Sequence, residues 1–235
     1  MAYDAKIVAD SVSEVGDRLT TMEVTFPRMV LAEFNTHRVF SRNSASSRAI
    51  PVEKQLQRIM DDPFIPVWWG RRQSGMQADH ELEGQDLEQA RAEWLAARDS
   101  AVNHVQRLLE LGLHKQITNR LLEPFMWHTV IVTATEWSNF FALRANPMAQ
   151  PEIHVIAEMM RDVYGESEPV LVEDGEWHLP LIQPEERDGA FEFSEEARKI
   201  SAARCARVSY LTHDGKRDLE ADLKLFDRLA GAGHM

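Results

Sequence analysis

Residues 33–50, EFNTHRVFSRNSASSRAI, gather the side chains of this 235-residue chain best suited to holding an anion. His37, Arg38, Ser41, Arg42, Asn43, Ser44, Ser46, Ser47 and Arg48 lie within a dozen positions. Three guanidiniums here are planar, permanently charged forks that pair bidentately with phosphate. Ser and Asn add short donors that reach a phosphate oxygen or a pyrimidine carbonyl. Two readings of the segment stand: an anion site, or a solvated helix end rich in residues that favour caps and turns.

Other common chemistries lack their signatures. The nine histidines include no HExxH, and His37, His128 and His154 fall in separate elements, so no metal site is expected. The eleven glycines form neither GxGxxG nor GxxxxGK[ST], and no GxSxG elbow occurs. The single cysteine, Cys205, cannot form an internal disulfide and reads as a packed core thiol in the small-residue run SAARCARVS. A net charge of −12 repels a phosphate backbone, so no nucleic-acid partner is expected and an anionic ligand needs a local arginine cluster. No apolar run reaches the roughly 20 residues of a membrane helix, and the start, MAYDAKIVAD, carries no secretory pattern. The expected location is the cytoplasm.

Periodicity predicts an α/β (α+β) fold. In RLTTMEVTF, residues 18–26, Met22, Val24 and Phe26 alternate with Thr21, Glu23 and Thr25, which reads as a half-buried strand. Met126–Thr135 is a second, β-branched strand with Val130, Val132 and Ala134 on one face and Thr129, Thr133 and Thr135 on the other. The longest predicted helix is 86–111, with Leu87, Ala90, Trp94, Ala97, Ala101, Val105 and Leu108 as its buried stripe. Further helices are predicted at 28–39, 51–61, 136–144, 151–164, 194–208 and 217–230. Asp174-Gly175 predicts a hairpin over 170–179, and 62–83 and 181–193 read as irregular.

THRVFSRNSASSR resembles the signature of flavin-dependent thymidylate synthases, RHRxxSxNExSxR followed by an aromatic residue. His37, Arg38, Ser41, Asn43, Ser46 and Arg48 fit in register, while Thr36, Ser44 and Ala49 replace Arg, Glu and the aromatic residue. NRLLEPFMWHTVIVTATEWSNFFALRA resembles the family segment with an Arg before an apolar-Pro turn, then a strand and a helix ending in NFxxLR. Arg120, Pro124, Asn139 and Arg144 take those places, and AQPEI at 149–153 continues the pattern. AARCARVSY at 202–210 and GHM at 233–235 resemble AARVSF and the GH of GH-x-[ST]-PFEH, which stand at the amino terminus in the family. The order implies a circularly permuted member: one domain, 1–235, with the family's N-terminal segment at 194–235.

The resemblance implies the fold of thymidylate synthase-complementing proteins, a small, mainly antiparallel sheet packed by long helices. It also implies synthesis of thymidylate from deoxyuridine monophosphate with FAD, methylenetetrahydrofolate and NADPH, in a homotetramer with shared active sites. Glu33, Ser46, Ser47, Arg48 and Arg120 would hold the nucleotide, and Arg144 would lie against the uracil ring as the catalytic group. Thr36, His37, Arg38, Ser44, Thr133, Thr135, Asn139, Ser209 and His234 would line the flavin. Thr135 stands where the family has Arg, and Met148 where it commonly has His. Two alternatives stay open: a pyrimidine nucleotide hydroxymethylase of the same fold, and a catalytically weak nucleotide- or flavin-binding protein.

Overall fold

Strands β1 (Asp4–Ser13) and β2 (Arg18–Pro27) form an antiparallel hairpin closed at Gly16, whose φ of 93° an L side chain rarely adopts. The structure is a computed structural model describing residues 2–187, 191, 194–208 and 218–233. β2 pairs with β4 (Trp127–Ala134), which pairs in turn with β3 (Ser41–Ser44); the short β5 (Val170–Val172) runs parallel to β1. The resulting order is β3-β4-β2-β1-β5, a mixed sheet with one parallel edge.

The alternation in β2 and β4 decides which face is dry. Met22 lies opposite Val132 and Val24 opposite Val130, and both pairs, with Phe26 and Ala134, face the main core. Two helices close that core: α5 (Ser138–Arg144), through Phe140, and α6 (Pro151–Glu166), through Ile153, Ile156, Ala157 and Met160. A second cluster joins α2 (Val52–Asp61), the long α3 (Gly84–Glu110) and the 3-10 stretch Asn119–Phe125. α4 (Lys115–Thr118) leads into that stretch. A third cluster lies under α7 (Glu195–Arg207), which packs on α8 (Leu219–Gly231). Among the described residues no helix is long and apolar enough to cross a membrane, and none of their acidic, His or Cys side chains form a metal-binding group.

Several expectations need correction. The helix predicted at 28–39 is reduced to a 3-10 turn, Arg28–Val30, and α1, Leu31–Phe34. The chain must reverse there so that Phe34 and Phe40 enter the same aromatic cluster at 5.6 Å. Arg42 takes over the freed carbonyls, donating to Asn35, His37 and Phe40 oxygens at 3.1, 3.2 and 2.9 Å. The hairpin predicted at 170–179 does turn at Gly175, but its return arm leaves the sheet. His178 there is bonded to Ser11 and Thr21 instead. On α3, Ala97 is exposed, and Val102 takes its place beside Val105 as the buried contact.

Candidate active site

Thr36 and His37 follow α1, and Arg144 ends α5, so two short helices bring them together. Arg144 Nε donates to His37 Nε2 at 3.0 Å and its Nη2 donates to Thr36 Oγ1 at 3.3 Å. An accepting Nε2 leaves the ring proton on Nδ1 and makes His37 neutral. Burial lowers its pKa, and the Arg144 and Arg42 charges lower it further. The ring is fixed edge-on to Phe140 at 4.9 Å and stacks on Phe40 at 5.7 Å. Of the five guanidinium donors of Arg144, these two bonds use two and leave three. Among the described residues no carboxylate pairs with Arg144. Arg38, next to His37 in sequence, is exposed and makes no hydrogen bond or ion pair among the described residues. Glu33, on α1, has a buried Oε2 with no hydrogen-bond partner among the described residues.

A second group lies toward the other end of β4. Ser47, only 1% exposed, donates to Glu123 Oε1 at 2.9 Å, and Arg120 donates to the same oxygen at 2.8 Å. Arg28 approaches that oxygen through Nε at 3.3 Å and reaches the His128 ring at 3.0 Å. Burial lowers the Arg28 pKa, opposed by Glu123 and assisted by the Arg120 charge. Burial, then Arg28, holds His128 down at about 3, so this imidazole is neutral. Asn119, fully buried, donates to the Ser47 and Ile50 carbonyls at 2.6 and 3.0 Å and fixes the turn that presents Ser46, Ser47 and Arg48. The Ser46 hydroxyl accepts from the Arg48 backbone at 3.3 Å, and the Arg48 guanidinium is exposed and unpaired among the described residues. Ser41 lies opposite Thr133, and Ala45 bonds to Thr129. Ser41 and Ala45 are therefore set four residues apart along β4, about 13 Å, with the first group beyond Ser41 and the second beyond Ala45.

Residues 16–170 match the family described as thymidylate synthase complementing protein. The chain belongs to that family. Among solved structures it is similar to the UMP/dUMP methylase PolB from Streptomyces cacaoi bound with 5-Br UMP. That likeness has a TM-score of 0.56 and 18% identity, over 72% of this chain and 90% of that one. The same methylase bound with 5-Br dUMP matches with a TM-score of 0.53 and 16% identity, covering 72% and 92%. No curated protein is significantly similar in sequence.

The remaining predicted positions scatter. Thr135 and Asn139 are exposed beyond the end of β4, on the His37 side. Thr133 instead points to the opposite sheet face, where its hydroxyl bonds to Thr21 at 2.7 Å. Ser44, half-buried in β3, lies between the two groups. Ser209 and His234 lie outside the described residues. Arg42 is the clamp of the 35–40 turn, so two of the three guanidiniums in the segment face solvent without partners among the described residues. Asn43 donates to the Cys205 carbonyl at 2.8 Å and ties the segment to α7. Burial pushes the Cys205 thiol up to about 11, which keeps it protonated and poorly nucleophilic at neutral pH.

Sequence reasoning missed Glu123, Arg28 and Asn119. Also missed was a cavity of about 1420 Å³ on the sheet's other face, lined by Thr25, Lys54, Arg58, Thr129 and His178 among others. None of the predicted site residues line it among those described.

Proposed function

We propose that this protein is a FAD-dependent pyrimidine nucleotide methylase. It transfers a one-carbon unit from methylenetetrahydrofolate to C5 of deoxyuridine monophosphate, with NADPH as reductant. The observation that carries the reading is Arg144, oriented by two neutral acceptors, with three donors unspent and no carboxylate to compensate it among the described residues. Uracil C5 becomes nucleophilic only when charge develops along the ring's enolate-like N3–C4 edge. A preoriented guanidinium stabilises that charge without reorganising, and at neutral pH it cannot itself remove a proton.

Family membership and the activity of the similar PolB, a UMP/dUMP methylase, support the substrate class. Arg48, Arg120 and Ser47 would face the nucleotide phosphate. The unpartnered Glu33 Oε2 suits a ligand N–H or O–H. The residues on the His37 side fit FAD in part: Arg38 is an unpaired cation, and Thr135 and Asn139 are exposed polar groups at the same end. The Thr133 hydroxyl is committed to Thr21 and does not fit that role. When bound, reduced FAD supplies the hydride that completes a methyl group. A homotetramer with shared sites belongs to the proposal through the family resemblance. The Asn43–Cys205 bond, which sets α7 beside the 33–50 segment, supports the circular permutation.

The test is spectroscopic and chemical. The purified protein is expected to bind FAD, give a flavin absorbance spectrum, and convert the nucleotide to thymidylate by mass spectrometry. Failure to take up FAD, or a hydroxymethylated product, would refute the reading as stated.

A further inference from the structure

Glu123 stands immediately before Pro124, in the 3-10 stretch Asn119–Phe125. Its Oε1 accepts from the Ser47 hydroxyl and from Arg120, and takes the Arg28 ion pair at 3.3 Å. One carboxylate oxygen thus collects one hydroxyl and two guanidiniums from three separate stretches of chain. That is the donor set a phosphate oxygen would use. Two of the three donors are largely withdrawn from water: the Ser47 residue is 1% exposed and the Arg28 side chain 12%. The Arg120 side chain is 49% exposed and opens the group to solvent.

We propose that Glu123 is a built-in stand-in for a ligand phosphate. In the free protein its carboxylate keeps Ser47, Arg120 and Arg28 gathered, where the cations alone would repel one another. A monophosphate enters by displacing that carboxylate from the same donors. Two anions cannot share the cradle without a repulsive cost, so Glu123 sets how much phosphate charge the site accepts and favours ligands that bring further contacts through base and sugar. The inference deepens the nucleotide reading and rests on it for the identity of the ligand, but the anion exchange can be tested without any nucleotide.

The probe is inorganic phosphate, titrated at constant ionic strength into the full-length protein and the Glu123→Gln variant. The Glu123→Gln protein is expected to bind phosphate at least about tenfold more tightly, and adding Arg120→Ala to it abolishes the gain. Unchanged or weaker phosphate binding in Glu123→Gln overturns the proposal. Should that variant not fold, Glu123→Asp, which keeps the charge but withdraws it from Ser47, is expected to give a smaller gain in the same direction; no gain again overturns it. Titration with deoxyuridine monophosphate separates the two claims. A phosphate gain without nucleotide binding leaves the stand-in and removes the nucleotide reading; nucleotide turnover without a phosphate gain does the reverse.

Discussion

The two ends of β4 hold their arginines in opposite ways. Near its carboxyl end Arg144 leans on a neutral histidine and a threonine hydroxyl, behind a wall of Phe34, Phe40 and Phe140. Near its amino end Arg120 and Arg28 are tied to a carboxylate. A cation oriented by neutral groups keeps its full charge for whatever develops in front of it. A cation paired with Glu123 gives up that field until the partner is displaced. The first arrangement suits charge that exists only during a reaction; the second suits an anion that arrives already charged.

The aromatic wall is the costliest place to strike. Phe140→Ala is expected to lose about 3–5 kcal/mol in denaturant unfolding, because a 1%-exposed ring that touches His37, Phe34 and Phe40 is replaced by a void. An unchanged midpoint would mean that His37 is not held by packing. Arg144→Ala is expected to reduce turnover by roughly 10²–10³, with the melting temperature preserved; retained turnover would erase the distinction between the ends.

Acid separates the histidines from the arginines. Burial, opposed by Asp10 and assisted by Arg187, holds His178 at about 4, and His128 sits at about 3. The unfolded chain takes up these protons from about pH 6.5 downward, while the native state refuses them until those lower values. Stability is therefore fully present above pH 6.5 and falls toward pH 4, by up to about 1.4 kcal/mol per pH unit for each imidazole. His178→Gln should flatten that slope in urea titrations at stepped pH, and an unaltered slope would refute the assignment. Smaller effects come last. His37→Phe keeps a ring in the slot but removes the acceptor, and should lower kcat about tenfold with little change in KM. A proportional rise in KM would instead make His37 a substrate-binding group. Arg48→Ala, exposed and unpaired, should weaken nucleotide affinity by less than about tenfold, measured by calorimetry.

Where the hydrophobic period is unbroken, the sequence was enough. β2, β4, α2, α5, α6, α7 and α8 fall within a few residues of their predicted ranges, because Met22, Val24, Val130 and Val132 keep period two and α6 keeps its apolar stripe. β1 went unseen because its register shifts between Ile7 and Ala9: Ile7 packs on the core, whereas Ser11 faces His178. The switch of face at a bulge breaks the alternation a reader looks for. β3 is four polar residues whose strand conformation comes from pairing with β4, not from their own propensity. In the candidate site, the motif residues were legible by type but not by use. Nothing local distinguishes Arg42, the loop clamp, from Arg38 and Arg48, since the carbonyls Arg42 binds exist only after the chain has reversed. Glu123 is ambiguous for the same reason: its meaning depends on Ser47, 76 residues away.

The most direct measurement is tritium release from deoxyuridine monophosphate labelled at C5, compared between the unaltered protein and Arg144→Ala in the presence of FAD, methylenetetrahydrofolate and NADPH. Loss of the C5 hydrogen reports the one-carbon transfer whatever the final acceptor. Nucleotide-dependent release by the unaltered protein is expected, with a fall of roughly 10²–10³ in the variant. Equal release by both proteins, or none from either once flavin is bound, would contradict it.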